Sequence, residues 1–397
     1  MTYQSPIALR LLVPLLCLAL LPSIASARGA QMDMADEPAL GASAAFDANG
    51  RLWLVTVRGG HVLLRHSEDL GRSFSQPVQV NPVAETIYAS GENRPKVATG
   101  PTGQIDVQWT EQPAPGWTGA IRFAHSIDGG RHFSAPIIVT QDPAKVTRGF
   151  DSLAIAGNGD IVVAWIDGRD AAKAKAAGRP YAGFAFYYTW STDGGQTFAP
   201  ERKLMDHSCE CCRTALARQP DGKVAAFFRG VYNDNIRDHA FAVLHTDGHA
   251  NHPERATFSN WRVAACPDQG PRLAIGANGV RHAVWYEASH GPAIWYGQLD
   301  PGHPPRRTLK LGGAGASHAD VALEGKTVWV AWNQVSADGY ALMLRVSHDG
   351  GAHFDAARAI ASSKVAVGSP QLLERAGAAY VAWNTADGFR LLAIKEQ

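Results

Sequence analysis

The sequence predicts an all-β fold made of repeated antiparallel units, and two recurring patterns support this prediction. The first pattern is an octapeptide, Ser-x-Asp-x-Gly-x-x-Phe, which begins at four positions: Ser67, Ser126, Ser191 and Ser347. Degenerate copies remain in the long interval after the third, at 245–248 and at 299–302. A motif that returns about every 50–60 residues indicates a repeated β unit, because each repeat forms one supersecondary structure.

Each octapeptide has the chemistry of a tight turn. The Asp carboxylate accepts hydrogen bonds from nearby backbone amides, and the Gly takes the positive φ that a tight hairpin requires. The Ser hydroxyl can form a further local bond, and the Phe returns to the sheet and can pack over the turn. Because turn structure accounts for every fixed position, these residues are predicted to be structural rather than catalytic.

The second pattern is an aromatic residue that ends a strand rich in Val and Ala. It occurs at seven positions: Trp53, Trp109, Trp165, Phe228, Trp285, Trp332 and Trp383. A turn such as Asn158-Gly159 often lies just upstream and joins this strand to a shorter apolar strand. The hairpin that carries the octapeptide follows, so each unit is predicted to contain four strands.

The four octapeptides, SEDLGRSF, SIDGGRHF, STDGGQTF and SHDGGAHF, resemble the Asp-box, or BNR repeat, of sialidase-like β-propellers. This resemblance implies a β-propeller whose blades are the repeated units. Seven blades are preferred because there are seven aromatic markers, and six blades with an appended hairpin are the alternative, since known sialidases have six. The last unit, 369–397, has only three strands, so we expect the segment Met32–Leu40 to supply a fourth and close the ring.

Propeller topology divides the loops between two faces. The Asp-box turns follow third strands and are expected on the face opposite the ligand-binding face. The ligand-binding face should be formed by the connections between blades and by the loops after second strands. Three of these connections place Arg94, Arg213 and Arg272 at the starts of innermost strands, facing the channel mouth. Sialidase-like enzymes hold a substrate carboxylate with three arginines placed in this way. The resemblance therefore implies that these arginines bind substrate, because a guanidinium binds a carboxylate bidentately.

Acidic residues on the same loops are candidates for catalysis. A glycosidase needs an acid–base pair, and the acids expected near the channel mouth are Asp151, Asp167, Asp238 and Glu287. The resemblance adds a Tyr nucleophile primed by a Glu, for which Tyr286 is a candidate. The alternative is that the arginines and acids form structural salt bridges between blades. The sequence leaves open whether the protein is an enzyme.

A cysteine cluster forms a second candidate site and resembles a Cys-x-Cys-Cys motif of exported bacterial sialidase-like proteins. Cys209, Cys211 and Cys212 follow His207, and Cys266 occupies nearly the position of Cys212 one blade later. In an oxidising compartment, four cysteines most simply form two disulfides, and one of them could join this loop to Cys266. The alternative is a soft metal ion, copper or zinc, bound by the thiolates and His207. No other cofactor is indicated.

Residues 1–27 are predicted to be a signal peptide, and residues 28–397 a single periplasmic or secreted domain. Arg10 precedes an apolar run from Leu11 to Leu21, and Ala25-Ser26-Ala27 offers small residues to a signal peptidase. No other segment has the hydrophobicity of a membrane span. The formal net charge of +1 provides no general attraction to nucleic acid or to an anionic membrane.

Three functions remain open from the sequence. The preferred one is a propeller that binds or hydrolyses a glycan, with exo-α-sialidase-like chemistry, and that takes a glycan or small acidic ligand on its top face. The second is a periplasmic protein that binds copper or zinc through the cysteine cluster. The third is a non-catalytic scaffold that binds a protein partner. A shared pocket lined by arginines would favour the first function, convergent free sulfurs the second, and a flat apolar face the third.

Overall fold

The computed structural model of the protein describes residues 1, 40–89, 91–114, 118–247, 249, 251–265 and 267–395. The predicted signal peptide, nearly all of the predicted closing strand Met32–Leu40, and Cys266 lie outside the described residues. Within the described ranges, no helix combines the length and the apolar character needed to cross a bilayer.

The described chain folds into antiparallel sheets that follow one another in sequence, and within most blades the strands pair in chain order. In the second blade, an additional short strand pairs with the end of the long second strand. Blade one consists of β1 (Ser43–Phe46), β2 (Leu52–Arg58), β3 (His61–Ser67) and β4 (Val78–Gln79), and blade two of β5 (Ile87–Tyr88), β6 (Lys96–Thr99), β7 (Ile105–Ala114), β8 (Thr118–Ser126) and β9 (Ile137–Ile138). Blade three consists of β10 (Arg148–Ile155), β11 (Ile161–Asp167), β12 (Phe184–Ser191) and β13 (Arg202–Ser208). Blade four consists of β14 (Ala215–Arg218), β15 (Val224–Arg229), β16 (His239–Leu244) and β17 (Glu254–Arg255).

The remaining blades repeat the same pattern. Blade five consists of β18 (Arg272–Ile275), β19 (Arg281–Glu287), β20 (Ala293–Asp300) and β21 (His303–Gly312). Blade six consists of β22 (Ala316–Glu324), β23 (Thr327–Ser336), β24 (Gly339–Ser347) and β25 (Arg358–Ser363), and blade seven of β26 (Gln371–Arg375), β27 (Ala378–Thr385) and β28 (Gly388–Ala393). One α-helix is described, α1 (Arg169–Ala176), inserted between β11 and β12. The predicted all-β class is therefore confirmed.

The innermost strands form a closed ring, which confirms the prediction of seven blades. Going around the ring, β1, β6, β10, β14, β18, β22 and β26 each contact the next, and β26 contacts β1. Side chains of the last blade join it to the first: Gln371 donates to the carbonyl of Ala44 at 2.8 Å and accepts from its amide at 3.1 Å. Asn384 donates to the carbonyl of Ala42 at 2.9 Å. These bonds close the ring within the described residues.

The octapeptide turns have the predicted structure, as the copy that begins at Ser191 shows. Its hydroxyl donates to Asp193 at 2.7 Å and accepts from the amide of Gly195 at 2.8 Å. Gly195 has a φ of +86°. Phe198 packs edge-to-face on Phe123, with ring centroids 5.2 Å apart. All four turns follow the third strand of a blade, so they lie on the face opposite the connections between blades.

The apolar core lies between adjacent blades. The aromatic markers occupy it, and Trp109, Trp165, Trp332 and Trp383 are among the largest fully buried side chains. Every residue of β11, whose sequence is IVVAWID, is buried. A strand covered on both faces has a continuous apolar run rather than an alternating one, which explains the Val/Ala-rich strands seen in the sequence.

Candidate functional site

Three connections between blades bring the predicted arginines to one cavity at the channel mouth. Arg94 precedes β6, Arg213 precedes β14, and Arg272 is the first residue of β18. All three line a cavity of about 120 Å³. Its other charged lining residues are Lys96, Glu92 and Asp151, so four cationic and two acidic side chains face this space. Because positive charge is in excess there, the cavity suits an anion.

Glu92 organises the side of the cavity on which Arg213 lies. Its buried carboxylate forms an ion pair with Arg213 and is 2.6 Å from Nδ1 of His318. It also accepts bonds from the Ser369 hydroxyl at 2.9 Å and the Gly270 amide at 3.2 Å. Burial alone would raise the pKa of Glu92, but the charges of Arg213 and His318 outweigh it and lower that pKa below its ordinary value. Glu92 is therefore an ionised structural hub that joins five blades.

Arg94 differs from Arg213 because it has no acidic partner. It is 5% exposed, and its side chain donates a hydrogen bond to the carbonyl of Ser369 at 2.8 Å. No carboxylate of the described residues lies within ion-pair distance of it. Burial lowers the pKa of Arg94, and the charges of Arg272 and Arg213 lower it further. Glu92 and Asp320 raise its pKa in turn, but less. Buried charges in proteins are normally paired, so a buried guanidinium without a direct carboxylate partner is unusual.

Two further cations face the same cavity with incomplete partners. Nε of Arg272 is 3.6 Å from Asp320 and has no hydrogen-bond partner among the described residues. Nζ of Lys96 is 3.3 Å from the carboxylate of Asp151, and burial lowers the pKa of Lys96 although Asp151 opposes this effect. Asp151 also accepts a bond from Thr110 at 2.7 Å. Of the predicted catalytic residues, Asp151 is the one that lines the cavity.

Asp167 lies in an ion-pair network rather than at the cavity. Nε of Arg148 and Nε1 of Trp165 each lie 2.9 Å from its carboxylate, and Arg169 binds it as well. Burial alone would raise the pKa of Asp167, but its bond to Arg169 and the charge of Arg148 lower it. Asp167 is thus held in a structural salt bridge, but this network lies within the third blade and not between blades, as the alternative from the sequence had it.

The other predicted catalytic residues are also held outside the cavity. Asp238 pairs with Arg255 and accepts bonds from the hydroxyl of Ser259 at 2.9 Å and from the backbone of that loop. Glu287 accepts a bond from the amide of Ser289 at 2.9 Å. The ring of Tyr286 packs edge-to-face against Trp261, with centroids 5.7 Å apart. The structure therefore does not bring these three residues together with the three arginines.

The cysteine cluster lies beside this site, directly before Arg213 in the chain. Sγ of Cys209 is 3.3 Å from Sγ of Cys212 and 3.8 Å from Sγ of Cys211. Cys209 and Cys212 are free and buried, whereas Cys211 is disulfide-bonded. No two of these described cysteines are joined to each other, and Cys266 lies outside the described residues.

Arginines surround the free thiols, but His207 does not join them. Nη1 of Arg237 is 3.5 Å from Sγ of Cys209. The hydrogen bond from Cys212 and the charge of Arg229 lower the pKa of Cys209 to about 7, although burial opposes them. The ring of His207 instead packs against that of Tyr181 in a tilted arrangement, with centroids 4.5 Å apart, and lies outside the group of converging sulfurs. The predicted role of His207 as a metal ligand therefore has no geometric support.

Sequence analysis assigned no role in the cavity to Glu92 or Lys96, although a signal for Lys96 was present. Lys96 is the first residue of β6 and follows Arg94 by two positions. In extended backbone, residues two apart point to the same side, so placing Arg94 at the cavity predicts that Lys96 faces it as well. Glu92 lies in a turn, where alternation gives no such signal.

No protein-family model and no curated protein matches the chain, but solved structures do. A PL25 ulvan lyase bound to -[GlcA(1-4)Rha3S]- is 11% identical, with a TM-score of 0.57 over 89% of this chain and 91% of that chain. The polysaccharide lyase Uly1 is 11% identical, with a TM-score of 0.56 over 89% and 90%. A protein of unknown function from Dyadobacter fermentans DSM 18053 is 14% identical, with a TM-score of 0.53 over 78% and 94%. At these identities, the similarity shows the fold alone.

Proposed function

We propose that this protein is an exported, periplasmic or secreted β-propeller that binds an acidic glycan at its channel mouth. The observation that carries the proposal is Arg94, a buried guanidinium without a carboxylate partner among the described residues. A sugar carboxylate would complete its ion pair and would replace the water lost on burial. Arg272 and Lys96 line the same cavity and add positive charge.

Two further observations support a carboxylate-bearing sugar over other anions. The octapeptide turns resemble those of sialidase-like propellers, whose substrates present a carboxylate to three arginines. The ulvan lyase with a similar fold holds a saccharide that contains glucuronate. The ligand class we propose is therefore a glycan with a terminal or internal sugar acid.

The finer form of the proposal is hydrolysis with exo-α-sialidase-like chemistry. A glycosidase of this kind needs an acid–base group at the scissile bond. Asp151 lines the cavity and lies next to Lys96, so we assign that role to Asp151. Cleavage of a fluorogenic sialoside by the wild-type protein, with loss of turnover in Asp151→Asn, tests this step separately from binding.

Calorimetric titration with N-acetylneuraminate and with glucuronate, and with glucose as the neutral comparison, tests binding. We expect Arg94→Ala to weaken binding of an acidic sugar by about 10- to 100-fold, the scale of one charged hydrogen bond of about 1.5–3 kcal/mol. Arg390→Ala is the matched control, because Arg390 lies on the outer strand β28 and bonds to a backbone carbonyl. If neither acid binds, or if Arg94→Ala binds both as well as the wild type, the proposal is wrong.

Binding of a soft metal ion is the second candidate function. The ligand atoms of Cys209, Cys211 and Cys212 lie within 4.8 Å of one another, which suits Cu(I) or Zn(II). The disulfide state of Cys211 leaves only two thiols for an ion. We therefore rank this function below binding of an acidic glycan. X-ray absorption of the metal in the purified protein tests it, because only the cysteine cluster would place sulfur about 2.3 Å from the ion.

A further inference from the structure

The fourth blade carries a turn that has lost the Ser-x-Asp-x-Gly pattern and has gained histidines. In an intact turn such as that of Asp193, a Ser hydroxyl and the amide of Thr197 saturate the carboxylate. The equivalent turn after β16 has His245 at the Ser position, keeps Asp247, and places His249 two residues later. We infer that this turn binds a divalent first-row transition ion, of which Zn²⁺ is the representative, through His245, Asp247 and His249.

The three side chains converge on a volume that is small enough for one ion. Nδ1 of His249 is 2.8 Å from Oδ1 of Asp247, and Nδ1 of His245 is 3.5 Å from the same oxygen. One ligand atom from each residue lies within 4.8 Å of the other two. Zinc binds imidazole nitrogen and carboxylate oxygen at about 2.0–2.2 Å, so two donors bound to the same ion lie about 3–4 Å apart. The separations of 2.8 and 3.5 Å in this turn are close to that range.

An unsatisfied nitrogen provides an independent indication of a ligand. Nδ1 of His245 is inaccessible to solvent and has no hydrogen-bond partner among the described residues. A buried polar atom without a partner costs free energy, and coordination of a cation would satisfy it. The same turn borders a cavity of about 480 Å³ that His245 and Asp247 help to line. This space leaves room for water to complete the coordination of an ion held by three protein ligands.

The backbone of the turn is held in place by residues that are not themselves ligands. The guanidinium of Arg202 donates to the carbonyl of His245 at 3.2 Å and to the carbonyl of His249 at 2.9 Å. The hydroxyl of Tyr188 also donates to the carbonyl of His245, at 2.8 Å. Because Arg202 spans both histidines, it fixes their separation. Support of this kind by neighbouring residues keeps ligands in a productive geometry.

The donor set indicates the class of ion. Two imidazoles and one carboxylate suit zinc, copper, nickel or iron(II), whereas calcium and magnesium prefer sites made of oxygen ligands alone. The turn follows the third strand of its blade and lies on the face opposite the channel mouth. The proposed ion site is therefore separate from the proposed glycan site, and the failure of one does not affect the other.

Calorimetric titration of the tag-free, metal-stripped protein with Zn²⁺ tests the inference. We expect one equivalent to bind, and His249→Ala to weaken binding by more than about tenfold, because loss of even a supporting residue around a metal costs about 10- to 100-fold. His245→Ala should have the same effect. His132→Ala is the matched control, because His132 pairs with Asp128 in an intact octapeptide turn that has a single imidazole. This control should bind Zn²⁺ like the wild type.

X-ray absorption of the zinc-loaded protein separates this site from the cysteine cluster. Nitrogen and oxygen ligands lie at about 2.0–2.2 Å from zinc, and thiolate sulfur lies at about 2.3 Å. A first shell without sulfur supports the inference. Sulfur ligation, absence of zinc binding, or zinc binding that His245→Ala and His249→Ala leave unchanged would each overturn it. His249 is an exposed side chain, so its replacement tests the site with little risk to folding.

Discussion

Arg94 and Arg148 are both buried, but they have different partners. We therefore expect them to have opposite effects on the free energy of unfolding. Arg148 bonds to Asp167 and to the carbonyls of Asp142 and Ala144, so its charge is compensated. Arg94 has a single carbonyl partner and is repelled by the charges of Arg213 and Arg272. The charges of Glu92 and Asp320 offset this only in part, and a buried cation without a direct ion pair destabilises the folded state until an anion binds. We therefore propose Arg94 as a ligand-binding residue, in contrast to Arg148, whose charge is compensated within the fold.

Thermal unfolding without ligand tests this distinction. Arg94→Met should keep or raise the midpoint of unfolding, because it removes an unpaired buried charge. Arg148→Met should lower the free energy of unfolding by about 3–5 kcal/mol, because it leaves the carboxylate of Asp167 buried and unpaired. If Arg94→Met is as destabilising as Arg148→Met, then Arg94 is a structural residue, and the proposal that the cavity binds an anion loses its main support.

The position of each arginine in the repeat was predictable, but the direction of the acidic side chains was not. Arg94, Arg213 and Arg272 occupy equivalent places at the starts of inner strands, so one topological argument places all three at the channel mouth. Asp167 and Glu287 end second strands, and Asp238 precedes a third strand, so all three reach the predicted face. Nearby Arg148, Arg255 and Ser289 nevertheless bind them. A loop position determines the face on which a residue lies, and only the nearest partners determine where a charge points.

The free thiols lead to a second prediction at the residue scale. Cys209 and Cys212 are 1% and 2% exposed, so we expect alkylation of either cysteine to require unfolding. Peptide mapping under non-reducing conditions should find both of them free and should recover Cys211 in a disulfide, for which Cys266 is the expected partner. Rapid alkylation of Cys209 in the folded protein would contradict its burial. Recovery of a Cys209–Cys212 disulfide would contradict the free pair.

At the scale of the strand, β7 carries a buried acid, Asp106, on the side that also presents the buried polar residues Gln108 and Thr110. Asp106 is fully buried. Gln104 donates one bond to it at 2.5 Å, and its second carboxylate oxygen has no partner among the described residues. Burial raises the pKa of Asp106 to about 7, although the bond from Gln104 opposes this effect. The aromatic marker Trp109 predicted the strand, but that marker alone could not show that the strand would be covered on both sides.

Asp106→Asn should therefore stabilise the protein in a way that depends on pH. An acid whose folded pKa lies above its unfolded value of 3.8 holds its proton more tightly in the folded state, so stability is lost as the pH rises from about 4 to about 7. The amide does not titrate, and its thermal midpoint should exceed that of the wild type at pH 8 but not at pH 4. A constant difference between the two proteins across this range would show that Asp106 does not titrate there.

For the whole molecule, the number of blades was predictable because periodicity is a property of the chain itself. The contacts that close the ring were not predictable, because their partners are more than 300 residues apart and follow no local pattern. Within the described residues, β26–β28 form a three-stranded blade, and the segment Met32–Leu40, predicted to supply the fourth strand, lies almost wholly outside them. Bonds from Gln371 and Asn384 to the backbone of the first blade join the two ends.

Asn384→Ala tests whether this closure limits the stability of the whole ring. Asn384 is 2% exposed, and its amide donates to the carbonyl of Ala42 at 2.9 Å. Removing it leaves a buried carbonyl unsatisfied, at a cost of about 1–3 kcal/mol in the free energy of unfolding. Because the lost bond joins the first and last blades, hydrogen exchange should accelerate first in β1 and β26, while β14 and β18 stay protected. Gln298→Ala is the comparison variant: Gln298 is buried and donates a similar bond to the carbonyl of Gly350, between blades five and six. Equal acceleration in all blades of Asn384→Ala would mean that the ring opens only as one cooperative unit.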